Sequence, residues 1–409
     1  MATASYNHGT RIFDAGETPR GVDLDNTTSI AAVFTAPAAD DDVWPLNEPI
    51  DLFSNDAAKR TALGTGGTGG DIFDALDDQG IVARVYGVRV AEGVSETPAT
   101  KLEQTISNFV GSGANFSGVH AFKLCRQKFG EDPGLLIAPG YTTQRISNAA
   151  NPVVSEFEGI AKRLKSIVVA DAGGTDKAGA FAWAEDFTDG QRIYATWPQV
   201  NVWDTVTSGV VSRPLAARAA GLFVKRDKEK GGPYWSPSNQ AVGGIAGTAL
   251  PVSYYDGDTD HDANWLNERK LATVIDNRIL WGNETLSADP LWRFVNVRRT
   301  RDAAERSIVR AFRWALDRNL GKHLPVAIIQ SLDEFIDGLV AVGAVLGGRA
   351  YWLREMNNNT DLRNGILRVE FDMEEAPPLQ DLQFGSRRNV AYFDVLSEDI
   401  LNALQQQVV

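Results

Sequence analysis

Four carboxylates fall within seven residues in Asp256-Gly257-Asp258-Thr259-Asp260-His261-Asp262, a density that could hold a divalent cation through oxygen ligands. An EF-hand loop, however, needs glycine where His261 stands and a bidentate glutamate where Asn267 stands, so the run reads as a solvated acidic turn. Gly64-Thr65-Gly66-Gly67-Thr68-Gly69 has the glycine pattern of a dinucleotide site, where bare backbone approaches a pyrophosphate. That fingerprint must follow a strand, whereas residues 56–63 have helical spacing, and no Lys-Ser/Thr pair completes a P-loop. The glycines are read instead as a flexible connection into a helix starting near Asp71. Cys125 is the only cysteine, so no disulfide can form within the chain. Its setting, Phe122-Lys123-Leu124-Cys125-Arg126, reads as one face of a helix and a buried, inert thiol rather than a nucleophile.

Asp171 closes the apolar run Ser166-Ile167-Val168-Val169-Ala170-Asp171, at the strand end where α/β proteins place ligands. A Ser-His-Asp hydrolase would need His8, His120, His261 or His323 as its base. None stands in a protease motif, and no Gly-Thr-Ser nucleophile segment is present. No catalytic residue, cofactor or metal ligand is assigned, and the chain is read as not an enzyme. The rival readings are an α/β hydrolase and a monomeric binding module built on residues 256–262.

The elements that would carry such residues alternate. Residues 30–34, 49–53, 81–90, 135–140, 166–171 and 192–196 read as strands, the first ones rich in β-branched residues. Helical spacing appears at 153–165, 176–186 and 214–225, which predicts a mostly parallel, doubly wound sheet covered on both faces. After Asn264 the pattern becomes α+β, with helices expected near 266–277, 302–319 and 331–345 and strands at 291–297, 349–355 and 365–373. Residues 389–396 alternate like a strand, and Arg11-Ile12-Phe13 is a short apolar stretch in a polar, glycine-flanked terminus. The expected organisation is an arm at 1–28, an α/β domain at 29–262 (β-rich over 29–115, alternating over 116–262), an α+β domain at 263–388 and a second arm at 389–409.

With 409 residues the chain can bury two or three cores, and its 43% hydrophobic content is ordinary for a globular protein. A net charge of −13 argues against nucleic acid or anionic lipid as partner. The longest apolar run, residues 338–347, is about half a bilayer span, which excludes direct membrane insertion through it. No apolar segment resembling a signal peptide opens the chain, so folding in a cytoplasm is expected.

Several motifs then occur in a shared order: Tyr234-Trp235-Ser236-Pro237-Ser238-Asn239, Gly243-Gly244-Ile245-Ala246-Gly247, Leu280-Trp281-Gly282-Asn283-Glu284-Thr285-Leu286 and Trp292-Arg293-Phe294-Val295-Asn296-Val297-Arg298-Arg299. Together with His8-Gly9-Thr10-Arg11 and Ala138-Pro139-Gly140, they resemble contractile tail sheath proteins of the phage and R-type bacteriocin kind along nearly the whole chain. Glu284 departs from the pattern, since a basic residue is expected after Trp-Gly-Asn. The middle of such proteins has been likened to the subtilisin fold, an analogy that confers no activity.

The resemblance implies a homo-oligomer of stacked hexameric rings around a tail tube, with baseplate and tail terminator proteins as further partners. It places the chain in a virion tail assembled in the host cytoplasm, or in a phage-derived bacteriocin or other contractile injection system. Contraction of a metastable array would drive the tube through a target envelope. Terminal arms would add strands to neighbours' sheets, which assigns Arg11, Ile12, Phe13, Val390, Tyr392, Phe393 and Val395 to links between subunits; a lone strand gains backbone partners only in this way. Residues 297–323 hold seven arginines with an apolar stripe of Ile308, Phe312, Trp314 and Leu316, and read as a helix with a solvated basic face. Arg306, Arg310 and Arg313 on that face, or Asp333, Glu334 and Asp337 on the next helix, would dock onto the tube or a neighbour through contacts that water and salt can loosen. Trp235, Trp281 and Trp292 read as packing anchors.

Overall fold

The strand β1 (Ile30–Thr35) is buried along its whole length, as a strand is only in the middle of a sheet covered on both faces. In the computed structural model, which describes residues 21–205 and 207–406, β1 is followed by β2 (Pro49–Phe53), the short helix α1 (Ala57–Thr61) and α2 (Gly69–Asp77). Next come β3 (Arg84–Val90), α3 (Pro98–Val110) and a 3-10 turn at Gly118–Leu124 that runs into α4 (Cys125–Phe129). The alternation continues through β4 (Leu135–Ile137), α5 (Pro152–Leu164), β5 (Ile167–Asp171) and α6 (Lys177–Glu185). Helix starts follow local chemistry. Asn151 accepts from Val153 N and Val154 N ahead of α5, and Asp176 accepts from Gly179 N ahead of α6.

Then follow β6 (Asp189–Gly190), β7 (Ile193–Thr196), the hairpin β8 (Val200–Asp204) and β9 (Gly209–Arg213), α7 (Ala216–Lys230) and β10 (Gln240–Ala241). The helix α8 (Asp262–Glu268) leads into β11 (Leu271–Ile275), β12 (Ile279–Trp281) and β13 (Leu286–Ser287). The long α9 (Val295–Ala311) and α10 (His323–Ala341) precede β14 (Val345–Tyr351), α11 (Asn359–Arg363) and β15 (Glu370–Glu375).

Nine of these strands form one sheet in the order β10-β12-β11-β7-β5-β4-β1-β3-β2. The pairs from β3 to β11 are parallel; β2 at one end and β12 and β10 at the other are antiparallel. The pleat sorts side chains between two cores. Ile30, Ala32 and Phe34 pack with residues of α2 and α7, while Ala31 and Val33 pack with residues of α3, α5 and α6. Gly87 in β3 leaves room for Trp44, whose ring would lie 2.7 Å from an added Cβ.

Some expected elements differ. Residues 266–277 were expected as one helix, but Lys270 at φ 63 ends α8 and Leu271–Ile275 pairs with β7 and β12. The sheet therefore extends past the division expected after Asp262. The strand expected at 291–297 is a 3-10 turn at Pro290–Trp292 followed by the start of α9. The following helices begin and end earlier than expected, closed off near Asp317 (φ 62) and Gly343 (φ 73). Strands expected at 349–355 and 365–373 lie at Val345–Tyr351 and Glu370–Glu375.

Residues Leu379–Val409 form a second unit. Its described part is an exposed stretch without helix or strand, then α12 (Tyr392–Gln406). The strand expected at 389–396 is thus corrected to a helix. A window of seven or eight residues showed alternation, but the apolar set continues as Phe393, Leu396, Ile400 and Leu404, three or four residues apart.

Candidate assembly surface

The arginines of residues 297–323, five of them on α9, come first, because seven in one segment need counter-charges or water. Most of them find counter-charges inside the chain. Arg299 Nη1 and Nη2 donate to both oxygens of Asp227 on α7, at 2.9 and 2.5 Å. Burial pushes the Asp227 carboxyl up, and Arg299 and Thr27 oppose that shift. Arg298 and Arg192 share Asp302, with Nη2 donors at 2.6 and 2.7 Å from its Oδ1. Arg301 donates to Glu375 Oε1 at 2.5 Å and to the Met373 carbonyl at 2.6 Å, tying α9 to β15. Arg306 is only 5% exposed; its Nε donates to Asp25 Oδ2 at 2.7 Å and its Nη2 to the Asp132 carbonyl at 2.7 Å.

The helix α9 is therefore an internal clamp. It joins the segment around Asp25, the helix α7, the loop before β4 and the strand β15. The expected solvated basic face is corrected on this ground, and so is the docking role expected of Arg306. Arg310 keeps part of its side chain in solvent while pairing with Asp25 at 2.6 Å, and Arg313 is exposed. On α10, Asp333 Oδ1 accepts from Ala350 N at 2.6 Å, whereas Glu334 and Asp337 are exposed.

Beyond the clamp lies a small open module. β14 pairs antiparallel with β15, from Tyr351 opposite Glu370 to Val345 opposite Glu375, and these two strands form a sheet of their own. Its core is small: Leu332, Phe335, Ile336 and Leu339 of α10 meet Ala304 of α9 and Met373 of β15. Among the described residues neither outer edge has a strand partner, although Asp333 already takes the Ala350 N–H and Arg301 the Met373 carbonyl; the other outward backbone groups are ones that a further strand could pair with. Leu346, in β14, is exposed. Sequence reasoning missed this pair of open edges, because openness is a property of the assembled sheet.

Val390, Tyr392, Phe393 and Val395 are exposed in the second unit. Arg11, Ile12 and Phe13, like His8, lie outside the described residues. Trp235 and Trp292 carry cations on their rings, Lys230 at 4.6 Å and Arg298 at 4.0 Å, and Trp281 meets Tyr254 edge-on. Glu284, the departure from the sheath pattern, is buried and accepts from Arg293 Nη2 at 2.5 Å.

The residues with chemical potential have structural employment. Asp262 accepts from Lys177 Nζ, Ser253 Oγ and Ser253 N, bonds that pull its carboxyl down to about 2. His261 Nδ1 accepts from Asn264 N at the start of α8, and Asp258 accepts from Asp260 N. Gly67 is left-handed (φ 72), and an added Cβ would lie 2.2 Å from the Thr35 carbonyl, so these glycines serve a close approach. Beside them Arg213 pairs with Asp71 at 3.2 Å and Arg218 with Asp78 at 2.8 Å, so both cations are engaged. Cys125 is buried, which pushes its thiol up, away from the reactive thiolate. His120 faces Lys123 and Glu156 and is pulled down mainly by burial. Asp171 Oδ1 accepts from Leu215 N, Ala216 N and Thr196 Oγ1. It anchors the start of α7 rather than a histidine.

Comparison with known proteins bears on the module directly. The family described as phage tail sheath C-terminal domain matches residues 287–389, the stretch holding α9, α10, β14 and β15. A prophage major tail sheath protein of Pseudomonas aeruginosa is 32% identical over 387 residues, 93% of this chain and 96% of that one. The chain belongs to the phage tail sheath family. Another family member, the tail sheath protein of Escherichia phage P2, is 29% identical over 94% of this chain and 96% of its own length. The sheath fold is also seen in solved structures. The contracted helical sheath of the anti-feeding prophage superposes with a TM-score of 0.67 at 17% identity, covering 94% of this chain and all of that one. The contracted sheath complex of the extracellular contractile injection system PVC gives 0.66 at 16% identity, covering 95% and 99%. This family consists of structural subunits of contractile tails.

Proposed function

We propose that this sheath subunit polymerises as stacked six-membered rings around a tail tube, and that the array shortens to drive the tube through a target envelope. The observation that carries the reading is the two-stranded sheet β14–β15, open on both edges among the described residues and lying in the segment matched by the sheath domain. An edge strand left in water is an aggregation hazard unless a partner is meant to cover it. The N-terminal segment containing Arg11, Ile12 and Phe13 supplies such a strand from a neighbouring copy. The C-terminal residues Val390, Tyr392, Phe393 and Val395 make the second link, in helical form.

Arg313, Glu334 and Asp337, exposed on the α9–α10 side, meet the tube or an adjacent subunit through wet, salt-sensitive contacts. Baseplate and terminator proteins close the two ends of the array. The sheet body is doubly wound and carries no catalytic role. The particle is a virion tail put together in the host cytoplasm; a contractile injection system is the second reading, favoured by the likeness to the anti-feeding prophage and PVC sheaths.

Electron microscopy of the purified full chain tests this. Hollow tubes with six-fold cross-section are expected, and a chain lacking residues 1–20 is expected to stay folded and fail to polymerise. Tubes formed equally well without that segment would remove the N-terminal link from the reading.

A further inference from the structure

The glycine run 64–69, which the assembly reading leaves without a role, borders a cavity of about 230 Å³. Gly67, Thr68 and Asp71 line it from the start of α2, Gly140 from the loop after β4, and Arg213 and Arg218 from the approach to α7 and from α7 itself. An added Cβ on Gly140 would lie 3.4 Å from the Thr68 methyl, so the two loops meet there. β1 and β4 are parallel neighbours in the sheet. The helix α2, which returns the chain to β3, packs on one face, and α5, which follows β4, packs on the other. The cavity thus sits at the carboxyl ends of two strands whose connections diverge, the place where open α/β sheets hold ligands.

Two observations give the ligand its charge. The N-terminus of α2 has no side-chain cap: Thr68 Oγ1 accepts from Thr35 N at 3.4 Å instead of serving the helix. The first N–H groups of a helix lack intrahelical acceptors and favour an anion. Independently, Arg218 is 3% exposed and its buried Nε has no hydrogen-bond partner, although Nη2 donates to Asp78 Oδ2 at 2.8 Å. A buried donor left unpaired is costly, and a bound ion is one way to satisfy it. Arg213 meets Asp71 at 3.2 Å and Asp204 at 3.8 Å, two single-point contacts on a group with five donors. Asp71 is the one acid on the lining, and burial pushes its carboxyl up, towards the neutral form.

We propose that this cavity binds a small oxyanion of the phosphate class, held by the first turn of α2, Arg213 and Arg218. Guanidinium groups and helix N-termini are the usual partners of such an ion. The volume lies below the range for drug-sized ligands (about 300–1,000 Å³), so the cavity is too small for a dinucleotide and suits inorganic phosphate or a short phosphomonoester. The site belongs to the sheet body and does not involve β14 or β15.

Calorimetric titration of the full chain with inorganic phosphate, sulfate and glycerol 3-phosphate, against sodium chloride at equal ionic strength, tests this. Saturable binding of one ion per chain is expected, with a dissociation constant of about 1 mM or below and a matching rise in the unfolding midpoint. Arg213→Gln, at a half-buried position, is expected to stay folded by circular dichroism and to weaken binding at least about ten-fold. Ala217→Leu, which enlarges a side chain on the cavity wall, is expected to block binding by a second route. If one variant fails to fold, the other decides. Tighter binding of glycerol 3-phosphate than of phosphate would assign the site to a phosphorylated small molecule, and the reverse order to the free ion; either supports the proposal. No saturation up to about 10 mM, or unchanged binding in a folded variant, would overturn it and leave the sheath reading standing.

Discussion

The nine-stranded sheet and the β14–β15 module solve the same problem of backbone hydrogen bonding to different degrees. In the sheet, central strands are paired on both sides and covered on both faces, and its ends are finished by antiparallel strands. In the module, two strands pair only with each other, over a core of a few side chains. A two-stranded sheet is marginal by itself in water. The body thus pairs its strands within one chain, whereas the module is clamped through α9 and its two strands have no further strand partner among the described residues. The lesson is that the unfinished part of a polymerising subunit is fastened to a finished part by buried ion pairs.

The clamp offers the sharpest way to break this contrast. Arg299→Ala leaves Asp227 buried without its counter-charge, and a loss of about 3–5 kcal/mol is expected in denaturant unfolding of the full chain. The paired change Arg299→Met with Asp227→Leu is expected to recover much of that loss, because no unpaired charge is left. A single-mutant cost below about 1 kcal/mol would show that α9 is not a clamp.

Within the module, Ile336→Ala is expected to cost about 2–5 kcal/mol by removing a fully buried side chain. Hydrogen exchange should speed up in β14 and β15 and stay unchanged in β1, β4 and β5. Equal acceleration in both regions would mean that body and module unfold as one, and the contrast would fail.

Acidity discriminates further. Burial raises the Asp171 carboxyl to about 6, despite bonds from Ala216 N, Thr196 Oγ1 and Leu215 N. The folded state therefore holds a proton that the unfolded state, near 3.8, releases. Stability contributed by this group is present at low pH and is lost as pH rises from about 4 to about 6. Asp171→Asn is expected to flatten that slope in unfolding midpoints, while Asp262→Asn is not, since that carboxyl titrates near 2. An unchanged slope in Asp171→Asn would assign the pH dependence elsewhere.

The smallest effect is expected at the acidic turn. Asp258→Asn should stay within about 0.5 kcal/mol, because the turn is exposed and its bond is local. Millimolar calcium is expected to leave the unfolding midpoint where it was; a rise of several degrees would revive the cation-binding reading.

Legibility followed element by element. β1, β5 and α5 were readable because apolar runs and 3.6-residue spacing were long enough to be distinct. The strand β11 was misread as helix: Leu271, Val274 and Ile275 suit either period, and pairing with β7 and β12 decided between them. The α9 arginines were read as a wet surface because their acids, Asp25, Asp227, Asp302 and Glu375, are mostly remote in sequence. Arg306 and Asp25, for example, are 281 positions apart.

The sequence by itself determined that this chain is an acidic, alternating α/β protein of the sheath kind, since motif order and periodicity are written along the chain. Only the tertiary structure decided which charges are buried and which strand edges stay open. Burial and edge exposure depend on which distant segments meet, and no local pattern encodes that meeting.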